Sequence, residues 1–298
     1  MSFPVAPLFH GGCVYRIVAK QVLASTITKY VIEAPFIARK RKAGNFVILR
    51  IMVGGERIPL TIVDSDVNAG TITLIVQAIG KTTKLLATKN VGDFIQDVLG
   101  PLGNPTPIEN HGTVVCIGGG VGTAELLPIA IALQAAGNTV YSIIGGRSKE
   151  LAILEDEMKA CSKEVFVTTD DGSYKRKGLV TDQLKDLLDG DYNVKAVYAI
   201  GPLPMMKAVS NLTKQYDVHT LVSLNAIMVD GTGMCGGCRV SVGGQMKFAC
   251  VDGPEFDAHQ VDFDEMIMRN RTYVDMEKIS DHQCNLYQQG EAMETAKL

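Results

Sequence analysis

Between Asn225 and Asp252 the chain reads NAIMVDGTGMCGGCRVSVGGQMKFACVD, and three of its seven cysteines fall in this stretch. Cys235 and Cys238 form a Cys-x-x-Cys loop set among Gly233, Gly236 and Gly237. Cys250 follows a short apolar segment broken by Gly243-Gly244. Thiolates bind soft metals, and glycines beside them let the backbone fold tightly round a bulky inorganic core and turn amides towards its sulfides, as an iron–sulfur cluster requires. Zinc calls for a second Cys-x-x-Cys or a pair of histidines, and neither is present. Three thiolates leave one ligand to find, and the loop offers Asp230 in the spacing Asp-x4-Cys-x2-Cys-x11-Cys. The plainer alternative is a reduced structural Cys-x-x-Cys in which Asp230 caps a turn.

The segment resembles the [2Fe–2S] loop of flavin subunits related to the electron-transfer subunit of dihydroorotate dehydrogenase, in which a cysteine holds the place of Asp230. With aspartate there, and with MVDGTGMCGGCRV and KFACVDGPEFDAH around it, it resembles the small subunits of NADH-dependent reduced ferredoxin:NADP oxidoreductases and of sulfide dehydrogenases. The resemblance implies a [2Fe–2S] cluster on Asp230, Cys235, Cys238 and Cys250.

A cluster has to be held near the groups that feed it, and the rest of the chain supplies two candidate domains. From Tyr15 to Ile95 the segments YRIVAKQVLA, KYVIEAP, NFVILRIMV, IPLTIVD and TITLIVQAI read as short strands separated by turns, a spacing that predicts a small antiparallel barrel. Lys20, Lys29 and the run Arg39 to Lys42 read as a solvated face. Along the barrel stand Ala43-Gly44-Asn45-Phe46, Arg57-Ile58-Pro59-Leu60-Thr61, Gly80-Lys81-Thr82-Thr83 and Gly100-Pro101-Leu102-Gly103. In this order they resemble the FAD-binding barrel of the ferredoxin–NADP reductase superfamily, where an Arg-x-aromatic-Ser/Thr strand lies along the flavin and a later Gly-x-x-Ser/Thr turn binds pyrophosphate. The resemblance implies that Thr61 offers its hydroxyl to the flavin edge while Pro59 and Leu60 present backbone. Gly80, Thr82 and Thr83 then give amides and hydroxyls to phosphate. Aligned on Leu60-Thr61, the superfamily arginine falls on Ile58, so Arg57 points to the other strand face unless the strand is bulged.

The second domain opens with Thr113 to Ile117, an apolar run suited to a central parallel strand. Gly118-Gly119-Gly120-Val121-Gly122-Thr123 and an apolar helix ending at Gly137-Asn138 follow it. This predicts a βαβ unit whose loop brings amides and a helix N-terminus to a dinucleotide pyrophosphate, with Gly118, Gly120 and Gly122 making the approach and Thr123 in the third glycine's place. Further strands are expected at Thr139 to Ile144, Val165 to Thr169, Ala196 to Ile200 and Thr220 to Leu224. Ligands of such sheets bind at the carboxyl ends of strands, which here carry Asp171 and Gly201-Pro202. Gly201 to Met206 resembles the superfamily's Cys-Gly-Pro-x-x-Met-Met segment beside the nicotinamide, with Ile200 replacing the cysteine. Met205 and Met206 read as helix core. No acidic residue ends the strand near Ile144 to claim a ribose hydroxyl, and Arg147, Ser148 and Lys149 would suit a 2′-phosphate. The resemblance favours NAD(H), with NADP(H) left open by the local chemistry.

Composition bounds what remains. At 298 residues and 46% hydrophobic, the chain has material for two cores, and a net charge of −3 gives no basic field for nucleic acid. No apolar run of membrane-spanning length occurs. The opening MSFPVAPLFHGGC lacks the charged start and apolar core of a signal peptide, so a reducing, cytoplasmic setting is expected. Cys13, Cys116, Cys161 and Cys284 are scattered and read as free thiols, and the five histidines show no metal spacing.

The expected architecture is an antiparallel FAD-binding β-barrel (1–107), a Rossmann-like parallel-sheet α/β domain (108–224), a [2Fe–2S] module (225–260) and a tail (261–298). The amphipathic FDEMIMRNR of the tail would pack on the body or on a partner. The resemblance implies a flavin subunit that exchanges hydride between NAD(H) and FAD and relays electrons through the cluster to a larger, glutamate-synthase-like flavin/iron–sulfur subunit, with ferredoxin served indirectly. No side chain is needed as acid or base in the hydride step, because the reacting atoms belong to the cofactors. Alternatives are a sulfide dehydrogenase or hydrogenase-associated diaphorase subunit, and a dihydroorotate dehydrogenase electron-transfer subunit.

Overall fold

The computed structural model describes residues 15–282. Its first part holds strands β1 (Tyr15–Ala24), β2 (Ile27–Glu33), β3 (Phe46–Arg50), β4 (Arg57–Thr61), β5 (Asp64–Asp66), β6 (Thr71–Gln77), β7 (Phe94–Ile95) and β8 (Asp97–Leu102), with helices α1 (Pro35–Lys40) and α2 (Lys81–Thr88). The expected barrel is built from two antiparallel sheets, β5-β6-β2-β1-β7 and β4-β3-β8. Their inward faces enclose Ile17, Tyr30, Ile32, Val47, Leu49, Ile62, Ile72, Leu74 and Leu86. Period-two alternation makes this possible, since each strand turns one set of side chains inward.

The second part follows as β9 (Thr113–Gly119), α3 (Gly122–Ala135), β10 (Thr139–Gly146), α4 (Glu155–Cys161), β11 (Glu164–Thr169), β12 (Arg176–Lys177), α5 (Val180–Asp189), β13 (Val194–Ile200), α6 (Leu203–Gln215) and β14 (His219–Ser223). The chain then continues through β15 (Arg239–Val242), β16 (Gln245–Phe248), β17 (Glu255–Asp257) and α7 (Phe263–Asn270). One seven-stranded sheet runs β12-β11-β10-β9-β13-β14-β17, parallel except for β17, which pairs antiparallel with β14. β9 is central, and Val115 faces Tyr141 on one side and Val197 on the other. That position explains its unbroken apolar run, because a central parallel strand is covered on both faces. Helix α3 is apolar nearly all round. It packs Leu126, Ile129, Ala130 and Leu133 with sheet residues and also with Ile27, Val63 and Ile75 of the barrel.

The segment expected as the [2Fe–2S] module shares its core with both domains. Met228, Cys238, Val240, Ala249, Cys250 and Phe256 share one buried cluster with Phe46 and Ile48 of the barrel, with Val197 and Val222 of the Rossmann sheet and with Met206 of α6. Helix α7 closes this cluster with Phe263 and Met266 and leaves Met268 exposed, so the start of the tail packs on the body. Cys13, Cys284 and His10 lie outside the described residues, whereas Cys116 and Cys161 are buried free thiols. No helix among the described residues is long and apolar enough to cross a membrane.

Candidate functional site

Cys238 and Cys250 are twelve positions apart and end with their sulfurs 3.2 Å from each other. The hairpin between them accounts for this. β15 and β16 are joined by Gly243-Gly244, whose φ values of 59° and 73° are those of a two-residue type I′ turn, so Cys238 at the start and Cys250 at the end are returned to one point. Burial, and after it the neighbouring Cys238, push the Cys250 thiol up to about 12. Such a thiol stays protonated until a metal displaces the proton, which is how metal binding becomes coupled to folding.

Cys235 is exposed on the outer turn, where its sulfur accepts the Gly237 amide at 3.4 Å. Asp230 Oδ1 accepts the Thr232 amide at 2.8 Å and Oδ2 accepts the Cys235 amide at 2.6 Å, which hold its carboxyl below the usual aspartate range. It therefore caps the loop, as the plainer alternative required. A carboxylate offers about four lone-pair sites, so two amide contacts leave room for a metal bond. Among the described residues no three His, Cys, Asp or Glu side chains stand together as a metal-holding group. The preformed part of the site is the Cys238–Cys250 pair, and the donor types of the loop fit an iron–sulfur cluster.

The loop is seated on the barrel. Gly231 has φ 73°, and a Cβ there would lie 2.6 Å from Leu102 Cδ1 and 3.0 Å from Ile48 Cγ1. Beside this seat, Asn45 donates to the carbonyls of Leu102 and Gly103 at 3.2 and 3.0 Å, joining two of the motifs separated in sequence. β4 pairs with β3 in unbroken register from Arg50↔Arg57 to Phe46↔Thr61. There is no bulge, so Ile58 and Leu60 turn to the barrel core while Arg57, Pro59 and Thr61 take the other face. Arg57 is exposed, and the Thr61 hydroxyl lies beside the Glu125 carboxyl of α3.

The expected turn at Gly80 is the N-terminus of α2. The Thr83 hydroxyl accepts the amides of Ile79 and Gly80 at 3.0 and 3.1 Å, and the Thr82 hydroxyl donates to Glu56. The hydroxyls expected to be free are thus engaged within the protein. What this turn offers a phosphate is the amide end of a helix, approached over Gly80, which has no atom within 4 Å of a Cβ position.

The glycine loop is close-packed on one side and open on the other. A Cβ on Gly119 would meet Met205 Sδ at 2.6 Å, and one on Gly122 would meet the Ile200 carbonyl oxygen at 2.4 Å, whereas Gly120, at φ 58°, faces open space. Gly118 leaves room only for Thr123, whose buried hydroxyl has no hydrogen-bond partner among the described residues. An open glycine beside an orphaned buried hydroxyl at a helix start is a fitting cradle for a dinucleotide phosphate. Gly201 and Pro202 adjoin it, since a Cβ on Gly201 would stand 3.0 Å from Gly119 Cα, and Met206 is core as expected. Asp171 accepts the Ser173 amide at 2.9 Å and closes its own exposed turn. Next to it Tyr174 carries Lys149 and Lys175 over its ring at 5.2 and 5.4 Å.

Two glutamates absent from the sequence expectations have shifted carboxyls. Glu125 lies in the first turn of α3 and Glu255 opens β17. Burial pushes their carboxyls up to about 7 and about 8. A lone glutamate in the apolar GTAELLPIAIALQA was a usable signal. Nothing local marks Glu255.

Residues 225–262 match the family described as the iron-sulfur cluster binding domain of dihydroorotate dehydrogenase B. Over 270 residues, 91% of this chain and 95% of the relative, the sequence is 47% identical to the dihydroorotate dehydrogenase B (NAD(+)) electron transfer subunit homolog of Thermotoga maritima. The electron transfer subunit of Geobacillus kaustophilus is 33% identical over 254 residues, 82% of this chain and 96% of that one. Among solved structures, a chain of the NADH-dependent reduced ferredoxin-NADP oxidoreductase, described in terms of flavin-based electron bifurcation, superposes with a TM-score of 0.87 at 45% identity over 93% of this chain and 100% of that one. Phthalate dioxygenase reductase shares the fold at a TM-score of 0.58 and 17% identity, over 78% of this chain and 87% of that one.

Proposed function

This chain belongs to the family of dihydroorotate dehydrogenase B electron-transfer subunits, and we propose that it is the NAD(H)-dependent flavin subunit of a heteromeric, electron-bifurcating oxidoreductase. The observation that carries the reading is the seating of the cluster loop. The buried Cys238–Cys250 pair lies in one core with the barrel's Phe46 and Ile48, and Met205, which packs on that core, also abuts Gly119 of the glycine loop, so hydride-accepting and one-electron chemistry would occur within a single rigid body.

Pro59, Leu60 and Thr61 would hold the flavin of FAD, with the Gly80 to Thr83 helix start at its pyrophosphate. Gly118, Gly120, Gly122, Thr123, Asp171, Gly201 and Pro202 would hold the nicotinamide dinucleotide. Bound flavin supplies the conversion between two-electron and one-electron transfer, and the protein contributes orientation and exclusion of water. Asp230, Cys235, Cys238 and Cys250 would ligate a [2Fe–2S] cluster, with buried sulfurs towards the barrel and the exposed Cys235 edge outward. Beside that edge Met234 is 88% exposed, a surface suited to a larger flavin/iron–sulfur partner of the glutamate-synthase-like kind. Ferredoxin would be served through that partner, in the cytoplasm.

Metal, flavin and spectroscopic analysis test this. Purified protein is expected to carry FAD and about two irons per chain, and zinc without iron would end the cluster reading. Asp230→Cys is expected to keep a [2Fe–2S] cluster with altered g-values and midpoint potential, because a carboxylate is a harder, less donating ligand than thiolate. Asp230→Ala should lose cluster stability. Wild-type spectra from both variants would remove Asp230 from the ligand set.

A further inference from the structure

The helix that begins at the Gly80 turn carries lysines where helices disfavour them. α2 opens on Lys81, has Lys84 one turn on, and has no acidic residue in its first turn. Cations at a helix N-terminus oppose its dipole, so this end of α2 holds positive charge for an anion to meet. On its barrel side the Thr82 hydroxyl donates to Glu56. On its other side the anion comes from much later in the chain: Lys84 Nζ stands 2.6 Å from Asp281 Oδ2, and Lys81 Nζ donates to the Ser280 hydroxyl at 3.1 Å. Lys81 and Lys84 share one helix face, so two contacts from adjacent residues fix a docking position where a single surface ion pair would not.

Residues 274–282 are helical and reach α2 from the other domain. The preceding helix α7 is anchored by Phe263 and Met266 in the common core, and the Asn270 side chain at its end donates to the Asn225 carbonyl just past β14 at 3.3 Å. Between Asn270 and Ser280 the chain therefore crosses from the Rossmann side to the barrel. Its attachment there differs in kind from that of α7. Tyr273, Met276 and Ile279 are 50, 67 and 60% exposed, so the crossing segment is held at its far end by charge and hydrogen bonding rather than by apolar burial, and contacts of that kind open readily. The segment lies beside the amide end of α2 without covering it, because among the described residues nothing stands within 4 Å of a Cβ on Gly80. A phosphate on those amides and the docked segment are compatible.

We propose that residues 274–282 are a latch that retains bound FAD. Asp281 and Ser280 grip Lys84 and Lys81, tie α2 to the Rossmann side of the molecule, and have to let go before the phosphate turn can move aside to release the cofactor. Lys84 and Asp281 are positioning residues: they touch each other and act on the cofactor through the turn from which α2 begins. The inference rests on the reading of Gly80 to Thr83 as the turn that holds the FAD pyrophosphate.

The test uses the full-length holoprotein and reads FAD release from the rise in flavin fluorescence on dilution. Asp281→Lys is expected to release FAD about 5-fold faster, the effect of losing one partly buried ion pair, and to speed hydrogen exchange of the amides in 274–282. Lys84→Glu combined with Asp281→Lys restores the pair with its charges exchanged and should return both readings to those of the unaltered protein. The direction is decisive, because a new lysine acting only by its charge on the diphosphate would slow release. Release that is unchanged or slower in Asp281→Lys, exchange that stays at the unaltered level, or no recovery in the exchanged pair overturns the proposal and leaves the flavin reading standing. Absence of FAD from the unaltered protein removes the flavin reading and the proposal together. If Asp281→Lys does not fold, Asp281→Asn decides by the same two readings, with faster release and faster exchange expected.

Discussion

Replacing Gly231 by alanine tests whether the cluster loop is seated on the barrel, and Gly244 provides the control. Both glycines have φ 73°, so each alanine carries the same left-handed backbone penalty, about 1 kcal/mol. They differ in what the new methyl meets. At Gly244 nothing lies within 4 Å, whereas at Gly231 the methyl falls 2.6 Å from Leu102 Cδ1 and 3.0 Å from Ile48 Cγ1. Leu102 is half-buried and its Cδ1 can swing aside, but Ile48 is 2% exposed in the shared core and cannot. Overpacking of such a core costs about 1–3 kcal/mol. Gly231→Ala should therefore destabilise by roughly 2–4 kcal/mol and Gly244→Ala by about 1 kcal/mol. Guanidinium unfolding of both variants measures the difference, and iron content reads whether the loop still closes round its cluster. Equal costs at the two positions would mean that the loop does not rest on β3 and β8.

Other outcomes follow from the same geometry. Because burial raises the pKa of Glu125 and Glu255, the folded chain binds more protons than the unfolded chain, so stability should fall as pH rises from about 4.5 to about 8. Each group contributes up to about 1.4 kcal/mol per pH unit within that window, and thermal unfolding of Glu255→Gln should show a flatter profile. A profile as steep as wild type would place its carboxyl in water. Gly122→Ala puts a methyl 2.4 Å from the Ile200 carbonyl oxygen, so it should part the glycine loop from Gly201 and weaken nicotinamide binding while leaving bound FAD in place, as separate titrations can read. NADH should reduce the flavin in preference to NADPH, and a strong preference for NADPH would shift the assignment to Arg147, Ser148 and Lys149.

What could be read in advance followed from local periodicity and spacing. β9 announces itself by an unbroken apolar run before glycines, and Cys235, Cys238 and Cys250 by a spacing that the Gly243-Gly244 hairpin then closes. Gly80 was harder. In KTTKLLAT the paired threonines suit a turn as well as a first helical turn, and only the Thr83 hydroxyl, reaching back to two amides, decides for the helix. The burial of Glu255 depends on β17 joining the Rossmann sheet beside β14, an edge pairing that a three-residue strand does not advertise. Long-range pairings of short strands carry no periodic signal, which is why the cluster segment looked like an appended module.

That edge pairing also explains how the parts act together. β17 ties the end of the cluster segment to the sheet that carries the glycine loop, and the Leu224 amide donates to the Pro254 carbonyl at 2.9 Å on the same edge. On the other side the Asn104 amide donates to the Gly253 carbonyl at 2.7 Å, fastening the segment to the end of the barrel. The segment is therefore a wedge between the two domains, and its burial is asymmetric: Cys238 and Cys250 face the common core while Cys235 faces out. Electron transfer between centres held on separate hinged domains would vary with every opening of the hinge. With the wedge in place, movement of either domain has to break core contacts of Phe46, Met206 or Cys250 before the separation changes, so in the proposed relay the inner side would be fixed by packing and the exposed Cys235 edge would be left to meet a partner.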